Sequence, residues 1–588
     1  MRPKRRSASL PPRKGRLDLR LVGIALVAIA LFANTVPNAF VSDDAEMIAK
    51  NPATHHPFDL GSIFGGRYWG GIIQNDTLYR PLSTWTMALN YGVNRALGRP
   101  GEAPAGFHLV NILLHAAASC LLYIFLRRLG IAKWAAFASG LLFAALPIHT
   151  EAVASIVGRA ELLAASFGLL FLILHRDGRR WLAGLSLLLA ALSKESAIAF
   201  IAVAIWLDFC LRSPSARGAR AEAAATGRPR TLAAYGVYAG ALAIWLAART
   251  AVVAGTKLVI LKLDNPLAQA SAIERILTAA GVQLRYLRLE LLPIGLSSDY
   301  SYDQIPIGGA GAALRALGLV VVIVAAAVLG RRARRAHPIV PFAAGAYAIL
   351  FLPASNLVLP IGTIMGERLA YAPSLGLCAL AGYGVWLARG RFGGAIATYG
   401  LAAVLIAYGA VDIARSATWR GWEPFVRAQV RSAPNSAKAH YNAGLIEQQA
   451  RRLDAAAADY ERALAIHPTY VEALNNLGIV QRDQGNPDEA IRLYRQALAI
   501  LPAYPQSHFN LGQALHIKGN LGPAADEYRA AIALNPNYAQ ALTNLAAIYM
   551  GEGRLDDAEP LLDRAVAADP SYAPARTNLD RLRRSRSR

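Results

Sequence analysis

The sequence predicts an all-α protein in two parts, a polytopic helical membrane domain followed by an α-solenoid. The 588 residues are 55% hydrophobic and only 17% charged, with a mean hydropathy of +0.31. This composition excludes a uniformly soluble globular chain. Long Ala, Leu and Val runs end near residue 412, and beyond that point prolines recur every 34 residues. A period of 34 residues is typical of tetratricopeptide repeats.

Apolar runs define the membrane domain, which we place at residues 19–412. Roughly 20 apolar residues in a helix cross the ~30 Å hydrocarbon core of a bilayer. The first run follows a basic N-terminus, residues 1–18, and we interpret it as an uncleaved anchor because residues 34–37 offer no good small-residue cleavage site. We count eleven candidate spans: 19–36, 106–126, 134–150, 160–175, 180–193, 196–211, 231–252, 311–330, 338–354, 370–388 and 393–412.

One further apolar stretch, residues 273–296, contains five charged residues. This pattern favours an amphipathic helix that lies in the membrane interface. A re-entrant pair of segments would leave the topology unchanged, whereas one more full span would invert everything after it.

Basic residues predict the orientation. Residues 1–20 hold eight basic groups and one acidic group, and alternate loops after them are also basic. The loops between, 37–105 and 253–308, hold five basic and six acidic groups, and five of each. Because cytoplasmic loops are enriched in Lys and Arg, the N-terminus is predicted in the cytoplasm, and residues after 412 on the other side. The basic loop residues are Arg127, Arg128, Lys133, Arg176, Arg179, Arg180, five Arg within 212–230, Arg331, Arg332, Arg334, Arg335, Arg389 and Arg391.

The net charge of +23 is therefore explained by membrane orientation. Residues 413–588 hold 21 basic and 18 acidic groups, too balanced for a nucleic-acid surface. The high Ala and Arg content is typical of a GC-rich bacterium, which favours the bacterial inner membrane with the repeats in the periplasm. We expect membrane lipid as a partner, and no nucleic acid.

The repeats are predicted at residues 431–588, as four units of 34 residues plus a basic capping helix, after a linker at 413–430. Small residues let the two helices of a repeat approach closely, aromatic residues fill the seam, and each proline marks a boundary. Such solenoids present a concave surface to peptides or partner proteins, so we expect protein partners. The recurring residues are Pro434, Pro468, Pro502, Pro536 and Pro570; Gly444, Gly478 and Gly512; Tyr460, Tyr494 and Tyr528; and Ala463, Ala497, Ala531 and Ala565.

A row of asparagines repeats in the same register. In one interpretation, each asparagine is a polar residue on a helix face that satisfies a neighbouring backbone group. In the other, the row grips an extended acceptor peptide, and it then resembles the asparagine ladder of O-linked N-acetylglucosamine transferase. The row comprises Asn442, Asn476, Asn510 and Asn544, with Asn578 in register.

Polar clusters at the ends of the apolar runs are the candidate sites, since ionisable groups are costly near lipid unless they are used. Asp43 and Asp44 follow the first run closely and can supply a general base, although such a pair is more often a helix cap or a solvated turn. Almost all other clusters fall on the same predicted side of the membrane. They are 50–52, 68–70, 79–82, 108–115, 147–153, 158–162, 192–195, 298–302, 355–356 and 366–374.

In combination these motifs resemble the transmembrane and tetratricopeptide-repeat O-mannosyltransferases, multispanning enzymes with the GT-C glycosyltransferase fold. The resemblance covers nearly the whole chain. At 366–371, Gly-Glu-Arg-Leu-Ala-Tyr departs conservatively from a form nearer Ala-Glu-Arg-Tyr-Leu-Tyr. The resemblance rests on Asp-Asp at 43–44, Tyr-Arg-Pro-Leu at 79–82, His-Thr-Glu-Ala-Val at 149–153, Gly-Arg-Ala-Glu at 158–161, Ser-Lys-Glu at 193–195, Asp-Tyr-Ser at 299–301 and Glu-Arg-Leu-Ala-Tyr-Ala-Pro-Ser at 367–374.

This resemblance implies transfer of mannose from a polyprenyl-phosphate carrier to Ser or Thr hydroxyls of proteins, on the periplasmic or lumenal face. The lipid-linked sugar would be the donor substrate, with no obligatory cofactor. The modest number of repeats would mean a smaller range of acceptors. Two other functions stay open: a non-enzymatic membrane-anchored scaffold for envelope assembly, and a GT-C enzyme with a lipid or polysaccharide acceptor.

Chemistry assigns the candidate roles. A carboxylate must take the proton of the acceptor hydroxyl, and we predict Asp43 as this base, with Asp44 orienting the acceptor or sharing the role. The leaving phosphate requires cations rather than a general acid. In-line attack opposite the phosphate would invert the sugar. The predicted donor-binding residues are Arg159 first, then Lys194, Arg80 and Arg368, with His149 as a hydrogen-bond donor and Glu161 beside them.

Each assignment has a simpler alternative. Arg159 with Glu161, Lys194 with Glu195, and Glu367 with Arg368 can instead form ion pairs or interfacial anchors. The histidines at 108, 115 and 149 lie on different predicted spans. We therefore expect contacts between helices from them, and no obligatory metal.

Overall fold

The computed structural model describes residues 18–72, 76–211, 232–257, 259–302, 304–333 and 337–586, with no side chains described for 325–333. Regular structure in these ranges is helical throughout, without a strand, which confirms the all-α prediction. The basic residues 1–17, the five loop arginines within 212–230, Arg334 and Arg335 lie outside the described residues. The chain divides into two units: unit 1 comprises residues 1–298 and 306–425, and unit 2 comprises 299–305 and 426–588.

Unit 1 contains all eleven predicted apolar runs, and each coincides with a helix or with two consecutive helices. Short polar helices lie between them. The helices are α1 Leu19–Phe32, α2 Asp43–Ala45, α3 Leu60–Gly65, α4 Pro81–Ala96, α5 Pro104–Arg128, α6 Lys133–Ala144, α7 Thr150–Ala154, α8 Arg159–Arg176, α9 Arg180–Ser193, α10 Ala199–Leu211, α11 Leu232–Val253, α12 Ala272–Leu291, α13 Gly309–Ala333, α14 Ile339–Phe351, α15 Ser374–Phe392 and α16 Gly394–Ser416, and α17 Trp422–Ser432 contains the boundary with unit 2.

Within the described ranges, three helical stretches are long and apolar enough to cross a membrane: Pro104–Arg128, Leu232–Val253 and Gly394–Trp419. A fourth candidate is the pair Lys133–Ala144 and Pro147–Ala154, bent by 46°. Four shorter apolar helices accompany them: Leu19–Thr35, Arg180–Ser193, Gly309–Val324 and Ile339–Ala354. These helices support a membrane-embedded part, whereas the count of eleven spans stays a prediction.

The stretch predicted as interfacial, 273–296, contains helix α12. This helix begins with a capping box, in which Ser271 and Glu274 exchange hydrogen bonds with each other's backbone N–H groups. Its position relative to lipid stays a prediction.

Small residues bring helices close together in unit 1. A Cβ atom on Gly382 of α15 would lie 2.1 Å from Oγ of Ser139 on α6, and one on Gly376 would lie 2.3 Å from the carbonyl oxygen of Ala343 on α14. Close backbone approach of this kind is typical of helix packing in membranes. It fixes α15, and with it the polar segment 366–373 that directly precedes α15.

Unit 2 contains four helix pairs and a final capping helix, which confirms the predicted tetratricopeptide solenoid. The first helix of each pair approaches the second closely: a Cβ on Gly478 would lie 2.5 Å from Cε1 of Tyr494, a fully buried ring. The pairs are α18 Ala437–Gln449 with α19 Leu453–Ile466, α20 Val471–Asp483 with α21 Pro487–Ile500, α22 Pro505–Ile517 with α23 Leu521–Leu534, and α24 Ala539–Gly551 with α25 Leu555–Ala568, and α26 Ala573–Arg586 ends the unit.

A short segment from the predicted outer loop, residues 299–305, belongs to unit 2. Ser436, the N-cap residue of α18, donates a short hydrogen bond to the carboxylate of Asp299. The ring of Tyr302 packs edge-on against His467, with centroids 4.8 Å apart. The sequence did not predict this association. The predicted linker 413–430 is mostly helical, within α16 and α17.

Candidate functional site

Asp43 and Asp44, the predicted base and its neighbour, are the first two residues of α2 and directly follow a tight turn. Ser42 has a φ of 52°, an uncommon conformation for a residue other than glycine. Asp43 is half-buried, and Asp44 is fully buried. Oδ1 of Asp44 accepts hydrogen bonds from Oγ of Ser155 (3.1 Å) and from the backbone N–H of Val157 (3.0 Å). Asp44 therefore ties this turn to the segment between α7 and α8 and leaves Asp43 as the more accessible carboxylate.

Among the carboxyl groups near this turn, Asp44 has the largest change in pKa. Burial raises its pKa to about 7, although the hydrogen bonds from Val157 and Ser155 act in the opposite direction, and the nearby charge of Asp43 adds to the increase. Near neutral pH, Asp44 is therefore poised between its protonated and ionised forms.

Three cations predicted to bind phosphate each form an ion pair with a glutamate from another part of unit 1. We call these residues, together with Asp43, the ion-pair cluster. The pairs are Arg80 with Glu195, through two bonds of 2.9 and 2.5 Å; Lys194 with Glu161, through a short bond; and Arg368 with Glu151, at 3.5 Å.

These pairings differ from the alternatives considered above. Lys194 pairs with Glu161 rather than with its neighbour Glu195, and Arg368 pairs with Glu151 rather than with Glu367. Glu367 instead accepts a 2.6 Å bond from Arg415. The cluster thus joins distant segments of unit 1.

Arg368 links the ion pairs to the predicted base. Burial alone would lower its pKa, but the carboxylates of Glu151, Asp43 and Glu161 raise it. Arg368 is therefore within electrostatic reach of Asp43. Its side chain is 37% exposed, against 15% for Arg80 and 7% for Lys194. Arg368 is the most accessible of the three predicted cations.

Arg159, the first choice from the sequence, is fully buried and is bound by neutral groups of α4 and α5. Its guanidinium donates to the side-chain oxygens of Asn111 (2.9 Å) and Asn90 (3.1 Å) and to the carbonyl oxygens of Thr86 (3.1 Å) and Phe107 (2.9 Å). These hydrogen bonds join α4, α5 and α8, and Glu161 is not among the partners.

His149 also has both ring nitrogens occupied. Nε2 contacts Oγ of Ser374 (2.8 Å), and Nδ1 contacts the carbonyl oxygen of Phe143 (3.0 Å). Its ring packs 4.6 Å from that of Tyr371, whose hydroxyl lies 2.8 Å from Nδ1 of His115. These contacts between helices agree with the simpler interpretation of His115 and His149.

Three small, separate cavities, which we together call the crevice, follow α10 and α14 from the ion-pair cluster. Their volumes are about 20, 20 and 10 Å³. The first is lined by Lys194 and Glu161, and it shares Phe200 and Leu350 with the second. The second shares Phe342 with the third. The crevice is thus polar at the cluster and almost entirely apolar beyond it.

Metal ligands are not grouped in the described part of the chain, where no set of three or more His, Cys, Asp or Glu is placed to hold an ion.

The phenol of Tyr68 lies beside the ion-pair cluster and was not assigned a role from the sequence. In the sequence, the only signal for Tyr68 is the Tyr-Trp-Gly motif at 68–70.

The asparagine row of unit 2 lies at one position of the first helix of each repeat. Nδ2 of Asn476 donates to the hydroxyl of Tyr441 (3.1 Å), and Nδ2 of Asn544 donates to that of Tyr528 (3.4 Å). Asn510 is mostly buried and donates to Asn475 (2.9 Å). Asn442 is half-buried. Neighbouring side chains therefore occupy much of the hydrogen-bonding capacity of this row.

Comparisons with known proteins agree with this architecture. Three family models described as tetratricopeptide repeat match residues 435–503, 475–538 and 515–579. The solved crystal structure of MamA protein is 24% identical, with a TM-score of 0.24, and matches 26% of this chain and 82% of its own.

The curated relatives match far more of the chain. Protein O-mannosyl-transferase F38B6.6 of Caenorhabditis elegans is 31% identical over 474 residues, 78% of this chain and 65% of the relative. Protein O-mannosyl-transferase TMTC4 of Homo sapiens is 30% identical over 505 residues, 74% of this chain and 64% of the relative. The chain thus covers slightly less than two thirds of the length of these relatives. The resemblance found in the sequence motifs is confirmed.

Proposed function

This chain is a homologue of the transmembrane and tetratricopeptide-repeat protein O-mannosyl-transferases, and from that premise we propose that it is a membrane glycosyltransferase that mannosylates proteins. The donor is a polyprenyl-phosphate sugar, and the acceptors are Ser or Thr hydroxyls. The observation that carries this proposal is the ion-pair cluster, in which Asp43 lies within electrostatic reach of a cation, Arg368. A glycosyl transfer of this type needs a base for the acceptor and cations for the phosphate, close together.

The crevice along α10 and α14 supports a lipid-linked donor. A polyprenyl chain needs an apolar path, and its phosphate needs cations at the end of that path. Lys194 lines the cavity nearest the cluster, and the following cavities are lined by residues such as Phe200, Leu350 and Phe342. Because these cavities are narrow, we expect α10 and α14 to move apart when the lipid enters.

Arg368 is the residue that we propose to bind the phosphate first. Its bond to Glu151 is long at 3.5 Å, and its side chain is the most exposed of the three cations. Arg80 and Lys194 are held by closer pairs with Glu195 and Glu161. An incoming phosphate can therefore bind Arg368 with the least loss of existing contacts, with the other two cations stabilising charge as the bond breaks.

The transfer step follows from the positions of the acidic side chains. Asp43 accepts the proton of the acceptor hydroxyl as its oxygen attacks the anomeric carbon, and the lipid phosphate leaves on the opposite face. Asp44 positions Asp43 through Ser155 and Val157. Arg159 keeps α4, α5 and α8 together, and His149 supports the segment before α15 through Ser374.

We propose that the repeats recruit acceptor proteins, with the row Asn442, Asn476, Asn510 and Asn544 near the peptide path. The half-buried Asn442 and Asn476 are better placed for this role than the mostly buried Asn510. The proposed location is the bacterial inner membrane, with eleven spans, a cytoplasmic N-terminus and periplasmic repeats. Motifs that are predicted on one side of the membrane contribute the residues of the ion-pair cluster, and this supports the orientation.

Mass spectrometry of envelope glycoproteins tests the function directly, because it identifies the sugar, the linkage and the acceptor together. We expect hexose on Ser and Thr residues in cells that carry the gene, and its loss when the gene is deleted. Restoration by the intact gene and not by the Asp43→Asn variant would assign the activity to this site. An unchanged glycoprotein pattern after deletion would contradict the proposal.

A further inference from the structure

Tyr68 has a buried hydroxyl without a hydrogen-bond partner in the described part of unit 1. The residue is only 2% exposed, and its ring lies in an apolar cluster with residues that include Met47, Phe107 and Val157. Burying an unpaired hydroxyl destabilises a fold, and most buried polar atoms are paired for this reason. A phenylalanine would pack here without that penalty, so the hydroxyl needs another explanation.

The backbone around Tyr68 is held on both sides. Its N–H donates to the carbonyl oxygen of Leu78 (3.0 Å), and its own carbonyl accepts from Nδ2 of Asn51 (2.9 Å). The carboxylate of Asp76 accepts from the N–H groups of Trp69 and Leu78, both at 2.8 Å. The phenol is therefore fixed in place before any ligand arrives, as expected of a preorganised binding group.

The phenol packs against one of the cations and is within electrostatic reach of the predicted base. The guanidinium carbon of Arg80 is 5.2 Å from the centroid of the Tyr68 ring. Burial raises the pKa of Tyr68 to about 12, and the carboxylates of Asp43 and Asp44 add to this increase while Arg80 opposes it. The hydroxyl thus keeps its proton at neutral pH and is available as a hydrogen-bond donor.

We propose that the Tyr68 hydroxyl donates a hydrogen bond to a hydroxyl group of the transferred sugar. This inference rests on the proposed function. During transfer the sugar ring must lie between Asp43 and the cations that hold the phosphate, and Tyr68 contacts Arg80 and is within electrostatic reach of Asp43. A sugar hydroxyl has the lone pairs to accept the bond. Tyr68 is therefore a substrate-binding residue that helps to select the sugar.

The test compares the intact membrane protein with its Tyr68→Phe variant, using mannosyl-phosphate-polyprenol and four analogues that each lack one of the four sugar hydroxyls. With the full donor, we expect the variant to transfer at least tenfold more slowly. With the analogue that lacks the hydroxyl bound by Tyr68, the two proteins should transfer at equal rates, because neither can form this hydrogen bond. The melting temperature of the variant should equal or exceed that of the unmodified protein.

Tyr91→Phe is the matched control. It removes a hydroxyl beside the same apolar cluster that already donates to the carboxylate of Glu102 (3.4 Å), so its response to the five donors should follow the unmodified protein. Equal transfer of the full donor by Tyr68→Phe, or the same loss with every analogue, would overturn the inference alone. Failure of the unmodified protein to bind or use the full donor would overturn the proposed function as well.

Discussion

Replacing Asp44 by Asn should make the stability of unit 1 less dependent on pH. Burial raises the pKa of this carboxyl to about 7, from 3.8 for an unperturbed Asp. Between these two values, the native state holds a proton that the unfolded state has lost. The native state is therefore favoured at low pH, and this contribution is lost as the pH rises from about 4 to 7.

The size of the effect follows from the same shift. A difference of about 3 pKa units corresponds to about 4 kcal/mol across the whole window, of which about 2 kcal/mol falls between pH 5 and pH 7. An Asn side chain can still accept from Ser155 and Val157 through its amide oxygen, so the geometry of the turn should persist. Asn does not ionise, and the variant lacks this pH-dependent term.

Thermal unfolding of the detergent-solubilised protein between pH 4.5 and 8 measures this directly. The unmodified protein should lose stability relative to Asp44→Asn as the pH rises, with the melting temperatures diverging most between pH 5 and 7. Parallel profiles for the two proteins would show that Asp44 does not retain a proton in the folded state. The account of this buried carboxyl would then be wrong.

Three glycine substitutions test the packing within each unit. Gly70→Ala should reduce transfer at least tenfold in a membrane assay, because Gly70 has a φ of 59° and an added Cβ would lie 2.2 Å from Oδ1 of Asn51. Unchanged transfer would contradict a fixed loop around residue 68. Gly478→Ala should weaken its repeat by about 1–3 kcal/mol in hydrogen exchange, since its Cβ would lie 2.5 Å from Tyr494, whereas Gly522→Ala, with no atom within 4 Å, should be neutral or stabilising by up to about 1 kcal/mol.

The repeats and the apolar helices were predictable because their physics is periodic or compositional. The spacing of Gly478 and Tyr494 reflects one helix-pair contact that recurs in three of the four repeats, and hydropathy alone locates the apolar helices. The association of 299–305 with unit 2 was not predictable. It depends on Ser436 capping α18 while it donates to Asp299, a contact between residues 137 positions apart.

The sequence located the residues of the ion-pair cluster but not their partners. Lys194 and Glu195 are adjacent, yet Lys194 has extended backbone angles at the end of α9, and Glu195 begins a 3₁₀ turn. Their side chains therefore separate and pair with Glu161 and Arg80. The burial of Arg159 was equally hidden, because two of its acceptors are backbone carbonyls that leave no signal in the sequence.

The central claim is that Asp43 is the base of a sugar transfer from a lipid phosphate to protein. Membranes that contain the unmodified protein, Asp43→Asn or Asp59→Asn can be supplied with labelled mannosyl-phosphate-polyprenol and an acceptor protein. Asp59 caps α3 in the same loop, and Asn is an equally good cap, so this control should keep full activity. We predict a loss of about 10²- to 10⁴-fold for Asp43→Asn alone. Equal transfer by Asp43→Asn and the unmodified protein would contradict the claim.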